Sequence, residues 1–283
     1  MDDWFEEQQE EDKSMPKTSL LRITGSLIGL ILVAVFQMAQ AYEGTPQEIG
    51  EKIAADARES AKGFDNFTAN MKMTLRSKNG REIERALRLK VLETDNDGDK
   101  TLFVFDQPRD VKGTAFLVHA FKDKQDQQWL YLPALKRVKG ISSSNQSGSF
   151  MGSEFSYEDL GTVEPEKYQH TYLRDEACGD YECYVLERVP KFEDSGYSRL
   201  LIWLDKEALR IREVHYYDRR NEHLKTMVAE DFKLYLDKLW RSRQITMSNH
   251  LTGKSTVLVW EDYVFGNDLD ESDFTRTALQ RVR

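Results

Sequence analysis

Cysteine and proline are scarce in this sequence, whose 283 residues include two Cys and six Pro. No Cys/His cluster with zinc-ligand spacing occurs, and the five histidines lack the H-x-H and H-E-x-x-H arrangements. The G-x-S-x-G nucleophile turn and the G-x-x-x-x-G-K-[ST] phosphate loop are also missing. The sequence therefore gives no positive case for an enzyme, and it predicts neither a metal nor a cofactor.

A basic excess is missing as well. The chain carries a formal net charge of −9, with 49 acidic against 40 basic residues. Residues 1–41 hold seven of the acids and three of the bases, so the remainder is still acidic, by five charges. Because proteins that bind nucleic acids usually have a basic excess, we expect no nucleic-acid partner.

One apolar run occurs near the N-terminus. Lys17 and Arg22 precede the apolar residues Ile23–Met38, and Ala39-Gln40-Ala41 follows as a small-residue cleavage site. This order is typical of a secretory signal peptide, and the run is shorter than the ~20 residues of a membrane-spanning helix. We predict a cleavable signal peptide at residues 15–41 and a periplasmic mature protein. The alternative is an uncleaved membrane anchor.

Residues 1–14 precede this leader with seven acids and one Lys, although signal peptides begin with a basic segment. Two hypotheses account for the acidic stretch. Either translation begins at Met15 and not at Met1, so that residues 1–14 are not native, or these residues form a disordered acidic tail. N-terminal sequencing of the precursor distinguishes the two.

The two cysteines, Cys178 and Cys183, are close together in Cys-Gly-Asp-Tyr-Glu-Cys. In an oxidising compartment such a pair is typical of a disulfide that closes a hairpin turn. Redox centres more often have C-x-x-C spacing, so we predict a structural bond. For so short a loop, the chain-entropy relation gives a stabilisation of roughly 2 kcal/mol.

The mature chain, residues 42–283, is predicted to form a single domain that is mainly β. Thr45-Pro46-Gln47-Glu48 has the features of a helix N-terminus, and apolar residues then recur at every fourth position from Ile49 to Ala61. From Phe67 onward the apolar period changes to two, and polar turns separate roughly a dozen strand-like segments. The pattern predicts a large antiparallel sheet, open or curled into a barrel.

The segment Lys139–Gly161 interrupts this rhythm because it is rich in Ser and Gly. A long loop in a compact domain is usually functional or mobile. Its apolar residues are candidates for a gate over the apolar face of the sheet: Phe150, Met151, Phe155 and Tyr157. The alternative is a loop that only packs over one end of the sheet.

Little helix is available to cover the apolar face of so large a sheet. The helical candidates are Pro46–Lys62, a turn near Ser156–Leu160 and a short segment at Asp270–Leu279. Because a sheet needs its apolar face covered, incomplete cover predicts an apolar cavity. A lipid chain would bind such a cavity favourably, at roughly 25 cal/mol per Å² of buried apolar area. The competing outcome is a cavity filled by aromatic side chains.

Three motifs in order resemble a known family. They are Pro108–Leu117 (PRDVKGTAFL), Trp129–Val138 (WLYLPALKRV) and Phe150–Leu160 (FMGSEFSYEDL). As a set they resemble the longer branch of outer-membrane lipoprotein-sorting proteins, relatives of the LolA periplasmic carrier. The resemblance covers essentially the whole mature chain.

This resemblance implies a fold, a cargo and partners. The expected fold is a strongly curved antiparallel sheet, an incomplete β-barrel covered by helices and a long loop. Its apolar cavity would accept the acyl chains of lipoproteins or other lipids. The resemblance further implies an RND-type inner-membrane transporter as partner, and an outer-membrane acceptor. The alternative function on the same scaffold is an envelope sensor or regulatory binding module, and a lipid-modifying enzyme is the least favoured.

Motif position and alternation nominate the site residues. Three basic residues in motif loops, Lys112, Lys136 and Arg137, would contact an anionic headgroup or an acidic partner, or are simply solvated loop charges. The predicted cavity residues are Met71, Met73, Leu87, Leu89, Phe103, Leu117, Trp129, Tyr131 and Trp203.

Overall fold

The computed structural model describes residues 42–94 and 97–282. The predicted signal peptide and the acidic stretch before it lie outside the described residues. In the part of the chain that is described, none of the helices has the length and hydropathy that crossing a bilayer requires.

The first element is the helix α1 (Pro46–Ser60), which begins as its sequence predicts. The Thr45 side chain accepts a hydrogen bond from the Glu48 backbone N–H, and the Glu48 carboxylate accepts one from the Thr45 backbone. This capping box satisfies backbone donors that the first helical turn leaves unpaired. The predicted helix Pro46–Lys62 is therefore confirmed, apart from its last two residues.

Thirteen strands occur in the described residues, and all pair antiparallel in one sheet. Along the sheet the order is β6-β5-β4-β3-β2-β1-β13-β12-β11-β10-β9-β8-β7, so β6 and β7 form its two edges and the sheet is not closed into a barrel. The bounds are β1 (Asn66–Arg76), β2 (Glu82–Leu92), β3 (Lys100–Gln107), β4 (Ala115–His119), β5 (Gln127–Leu132), β6 (Arg137–Ile141), β7 (Tyr168–Cys178), β8 (Tyr181–Pro190), β9 (Tyr197–Asp205), β10 (Ile211–Asp218), β11 (His223–Tyr235), β12 (Leu239–Asn249) and β13 (Ser255–Phe265).

Strands that are adjacent in this order are also consecutive in sequence, except β1 and β13, whose pairing joins the two halves of the sheet. In the middle of the sheet, Met71 of β1 faces Leu87 of β2 on one side and Trp260 of β13 on the other. The fold class predicted from the sequence, mainly β with a curved and incompletely closed antiparallel sheet, is confirmed. The predicted disulfide also exists, with Cys178 and Cys183 joining β7 to β8.

The sheet has two buried surfaces. The inner face carries the main core, and α1 and the segment 142–163 pack against it. The outer face of β3–β5 is covered by the C-terminal segment, where Phe274 and Leu279 are fully buried. These two residues lie in short 3₁₀ helices, Glu271–Phe274 and Ala278–Gln280, which match the helical segment predicted at Asp270–Leu279.

One strand departs from the sequence-based prediction. The predicted loop Lys139–Gly161 begins inside β6, where Gly140 pairs with Trp129 and Ile141 pairs with Gln128. The sequence of β6 shows no sustained alternation of apolar and polar residues, because β6 is an edge strand of five residues and most of its side chains are exposed. The remainder of the loop contains a short 3₁₀ helix at Tyr157–Asp159, where the sequence predicted a turn.

Candidate functional site

A cavity of about 660 Å³ lies between α1 and the inner face of the sheet. The sheet contributes apolar walls from both halves, and the segment 160–165 closes one side. Representative wall residues are Leu89, Phe103, Leu186, Met227, Ile245 and Trp260. The volume falls within the ~300–1,000 Å³ that small-molecule sites occupy.

The cavity exists because the helix above it changes from large to small side chains. Ile53, in the middle of α1, is fully buried and packs into the core. The residues near the C-terminal end of α1 that line the cavity are Ala54, Ala57, Arg58 and Ser60, followed by the C-cap Ala61, so that three of these five are alanines. On the opposite wall Ala229 of β11 is equally small. Since alanine side chains cannot reach across the gap, a space persists there.

A buried ion-pair cluster anchors the end of α1 beside this cavity. The Arg58 guanidinium lies 3.1 Å from the Asp99 carboxylate and 3.0 Å from the Glu164 carboxylate. Thr162 also donates a hydrogen bond to Asp99, at 3.0 Å. Burial raises the pKa of Asp99, and the neighbouring Arg58 opposes that rise. Removing Arg58 would leave two buried carboxylates unpaired, so we infer that it fixes the helix to the segments 97–99 and 162–165.

Other basic side chains also line the cavity. Arg210 is held by its own counter-ion, with Nε 2.7 Å from a carboxylate oxygen of Asp205. Arg241 donates a hydrogen bond to the Ala61 carbonyl at the end of α1, at 3.0 Å. Arg188 of β8 contacts His170 of β7, with Arg188 Nε 3.2 Å from His170 Nε2. The walls thus combine an apolar surface with a positive polar rim.

Two of the nine predicted cavity residues, Leu89 and Phe103, line the cavity. Met71, Met73 and Leu87 belong to the same inner-face core but are packed beneath it. The alternation of apolar and polar residues in β1 and β2 therefore identifies which residues lie on the inner face, but not which of them line the cavity.

The remaining four predicted cavity residues lie on the outer face. Leu117, Trp129 and Tyr131 pack with the C-terminal segment, and Trp203 packs with the disulfide. Both faces of β3 and β4 are buried, so their alternation does not distinguish inner from outer positions. A strand that is covered by packed segments on both faces therefore has the same run of apolar residues as a strand that lines a cavity.

The predicted gate residues form a packed group over one end of the inner face. Phe150 is fully buried, with its ring centroid 5.1 Å from that of Phe116 and 5.9 Å from that of Phe105. Phe155 is also buried, and its carbonyl accepts a hydrogen bond from the Phe150 N–H at 2.7 Å. Met151 and Tyr157 are half-buried at the edge of the same group. A gating role for this segment stays a prediction.

The three predicted headgroup contacts do not line the cavity. Lys112, Lys136 and Arg137 are exposed in the turns before β4 and around the start of β6. These two turns are adjacent: a Cβ atom on Gly113 would lie 3.2 Å from Cγ of Pro133. A contact with a partner surface at this corner stays a prediction.

Sequence reasoning missed the charged residues beside the cavity. Arg58 and Glu164 are 106 positions apart, and no local motif links them. It also missed a histidine cluster on the outer face. There the rings of His215 and His223 are 4.6 Å apart, and those of His223 and His250 are 4.4 Å apart. Within the described residues, no group of His, Cys, Asp or Glu side chains has the arrangement of a metal site.

A second cavity, of about 740 Å³, lies on the outer face between β1–β3 and the C-terminal segment. Its walls include Arg88, Lys90, Asp262, Asp273 and Arg281. Because polar and charged groups make up much of this wall, it suits an apolar chain less well than the inner cavity does. We therefore take the inner cavity as the candidate site.

Comparison with solved structures agrees with this architecture. The chain is similar to a crystal structure of an outer membrane lipoprotein-sorting protein domain from Vibrio parahaemolyticus, with 48% identity and a TM-score of 0.82, covering 83% of this chain and 100% of that one. It is similar to a DUF1329 family protein from Desulfovibrio piger, with 26% identity and a TM-score of 0.79, over 83% and 100% of the two chains. A LolA superfamily protein from Nitrosomonas europaea, 22% identical with a TM-score of 0.66, shares the fold over 83% and 100%.

Sequence comparisons add one family. A family model described as an uncharacterized protein matches residues 97–281. No curated protein matches the chain.

Proposed function

This chain belongs to the outer-membrane lipoprotein-sorting protein family, and from that premise we propose that it carries the acyl chains of lipoproteins or lipids across the periplasm. The observation that supports the proposal is the apolar cavity of about 660 Å³ between α1 and the inner face of the sheet. The family relationship supplies the class of cargo, and the cavity supplies a place for it.

The energetics suit a carrier. Each methylene that leaves water for an apolar wall contributes ~0.8 kcal/mol. Association itself costs an estimated ~4–15 kcal/mol, which offsets much of this gain. A chain that only partly fills the cavity therefore has a modest net affinity and can be released. One wall is a single helix, α1, which the Arg58 ion pairs hold at its C-terminal end. Binding and release therefore require displacement of one element and leave the sheet intact.

We propose binding without catalysis. Among the described residues that line the cavity there is no histidine and no cysteine. The carboxylate that does line it, Asp99, is engaged by Arg58 and Thr162. These contacts support an anchoring role for the charged groups, since a general acid or base must be free to reach a substrate.

The location and partners complete the proposal. The predicted signal peptide at residues 15–41 would bring the protein to the periplasm. There it would receive or deliver cargo with an RND-type inner-membrane transporter and an outer-membrane acceptor. The exposed basic corner formed by Lys112, Lys136 and Arg137 is the proposed docking surface for such a partner.

Filling the cavity tests the binding site directly. Ala57→Phe places an aromatic ring on the cavity wall, whereas Ala177→Phe adds the same ring at an exposed position of β7. Titration of delipidated protein with a fluorescent fatty acid should show binding by the wild type and by Ala177→Phe. We expect binding by Ala57→Phe to be weaker by at least about tenfold, because the lost volume excludes several methylenes.

Thermal unfolding of each variant verifies that the fold is retained. Equal binding by Ala57→Phe and the wild type would place the chain elsewhere and contradict the proposed site. A wild-type protein that binds no fatty acid at all would contradict the proposed function.

A further inference from the structure

Arg188 is a buried basic residue of the cavity wall that has no carboxylate partner in the described chain. It lies on β8, its side chain is 8% exposed, and it lines the cavity beneath α1. In the part of the chain that the structure describes, no carboxylate lies within ion-pair distance of its guanidinium. Burial lowers the pKa of this group, yet arginine stays protonated in proteins. A positive charge is therefore buried here without a counter-charge.

The contacts that Arg188 does make orient it without neutralising it. Its Nε–H donates to His170 Nε2 at 3.2 Å, and the Tyr168 ring lies 5.1 Å from the guanidinium carbon. His170 in turn has Nδ1 3.3 Å from a carboxylate oxygen of Glu51 on α1. Because His170 is fully buried and its Nε2 accepts from Arg188, the imidazole is neutral with its proton on Nδ1. Among the described residues, the Nη groups of Arg188 have no hydrogen-bond partner.

Two other arginines at this cavity show what is missing, whereas Arg241, which also lacks a carboxylate partner among the residues described, is only half-buried and donates to the Ala61 carbonyl. Arg58 binds Asp99 and Glu164, and Arg210 binds Asp205. Both have the carboxylate partner that a buried guanidinium normally requires. Arg188 has comparable burial and lines the cavity, so a ligand in the cavity can take the position of the missing partner.

We propose that the cavity selects amphiphiles with an anionic head group, carboxylate or phosphate, and that Arg188 binds that group. The inference rests on the proposed function and narrows its cargo. A guanidinium presents its N–H donors in a fork that matches two oxygens of either anion. The surrounding apolar walls strengthen the attraction because they lower the local dielectric constant. A neutral ester or alcohol offers no charge to offset the burial of Arg188.

Three probes of equal chain length test this selection. They are dodecanoic acid, methyl dodecanoate and dodecyl phosphate, with binding to full-length mature protein measured by calorimetry or by displacement of a fluorescent lipid. We expect the two anions to bind at least about tenfold more tightly than the ester, because charge-assisted hydrogen bonds are stronger than those between neutral groups. The ratio between acid and phosphate then identifies the preferred anion.

Variants assign the selection to Arg188. Arg188→Met should remove the advantage of the anions while retaining ester binding, and Arg188→Lys should restore part of it. Arg220→Met removes the same charge from a turn where the Arg220 side chain is 72% exposed, and it should leave all three affinities unchanged. Ester binding by Arg188→Met serves as the internal check that the cavity is intact.

The outcomes separate this inference from the proposed function. If acid, phosphate and ester bind the wild type equally, the inference is overturned and the carrier function stands. If Arg188→Met weakens all three probes by the same factor, the selection does not come from Arg188 and the inference is likewise overturned. If none of the probes binds, both proposals are overturned. Should Arg188→Met fail to fold, the wild-type comparison alone still decides whether the cavity selects anions.

Discussion

His170 is a titratable residue that the fold removes completely from water. It is fully buried between α1 and β8, in contact with Glu51 and Arg188. Burial, with a further contribution from Arg188, lowers its pKa to about 3. In an unfolded chain the pKa of histidine is ~6.5. The unfolded protein therefore binds one more proton at this residue than the folded protein does between those two values.

His170→Gln should make the protein less sensitive to acid. The contribution of His170 to stability is fully present above about pH 6.5 and is lost as the pH falls toward the folded pKa, by up to ~1.4 kcal/mol per pH unit. Urea unfolding of both proteins between pH 7 and pH 4.5 gives the two free energies of unfolding. We expect the wild-type value to decrease relative to the variant as the pH is lowered.

Glu158 acts in the opposite direction, because burial raises its pKa to about 7 and its contribution to stability falls as the pH rises. Since Glu158 is present in both proteins, its contribution cancels in the difference. A difference between wild type and His170→Gln that does not change with pH would contradict the buried neutral imidazole.

At the scale of elements, α1 forms one wall of the cavity, and its position depends on a glycine. Gly50 is buried where α1 crosses β7. A Cβ atom there would lie 2.7 Å from the Tyr172 backbone nitrogen and 2.8 Å from the His170 and Thr171 carbonyl carbons. These are backbone atoms, so a side chain at position 50 would push the whole helix outward.

Gly50→Ala should therefore destabilise the protein, although alanine favours helices over glycine by about 1 kcal/mol. We expect a loss of about 1–3 kcal/mol in the free energy of unfolding, the usual range for overpacking. Chemical denaturation measures it.

The exposed position Ala55 supplies the control, where Ala55→Gly should cost only the helix propensity of about 1 kcal/mol. A stabilising effect of Gly50→Ala would show that the helix does not sit this close to β7.

The sequence predicted α1 well because its signals are local. The capping box and the four-residue apolar period lie within the helix itself, and so does the hairpin disulfide within its turn. The sequence could not predict the partner of α1, since the close approach of Gly50 to β7 joins segments about 120 residues apart in the chain. The same holds for the Arg58 ion pairs.

At the scale of the whole molecule, alternation predicted the sheet but not the inner face. β1 and β2 each have one apolar and one polar face, so their inner residues could be identified. β3 and β4 are apolar on both faces because the C-terminal segment covers the outer one. The assignment of Leu117, Trp129 and Tyr131 to the cavity depended on that missing information.

The sequence predicted that an apolar cavity exists, but not most of the residues that line it. Too little helix for a large sheet predicted a space, and the alanine residues of α1 and β11 determine where that space lies. The arginines of its lining come from α1, β8 and β12, together with Arg210 before β10. These side chains converge only through the topology, so sequence spacing holds no sign of them.

We propose that an acyl chain occupies the space between α1 and the inner face of the sheet. A crystal structure with a fatty acid brominated at its terminal carbon tests it, because the anomalous signal of bromine locates the chain end. We expect bromine density among Leu89, Phe103 and the other apolar walls of the inner cavity. Two results would contradict this position of the chain. One is bromine density only in the second cavity, on the outer face beside Lys90 and Arg281, and the other is an inner cavity without bound chain at a saturating concentration of the fatty acid.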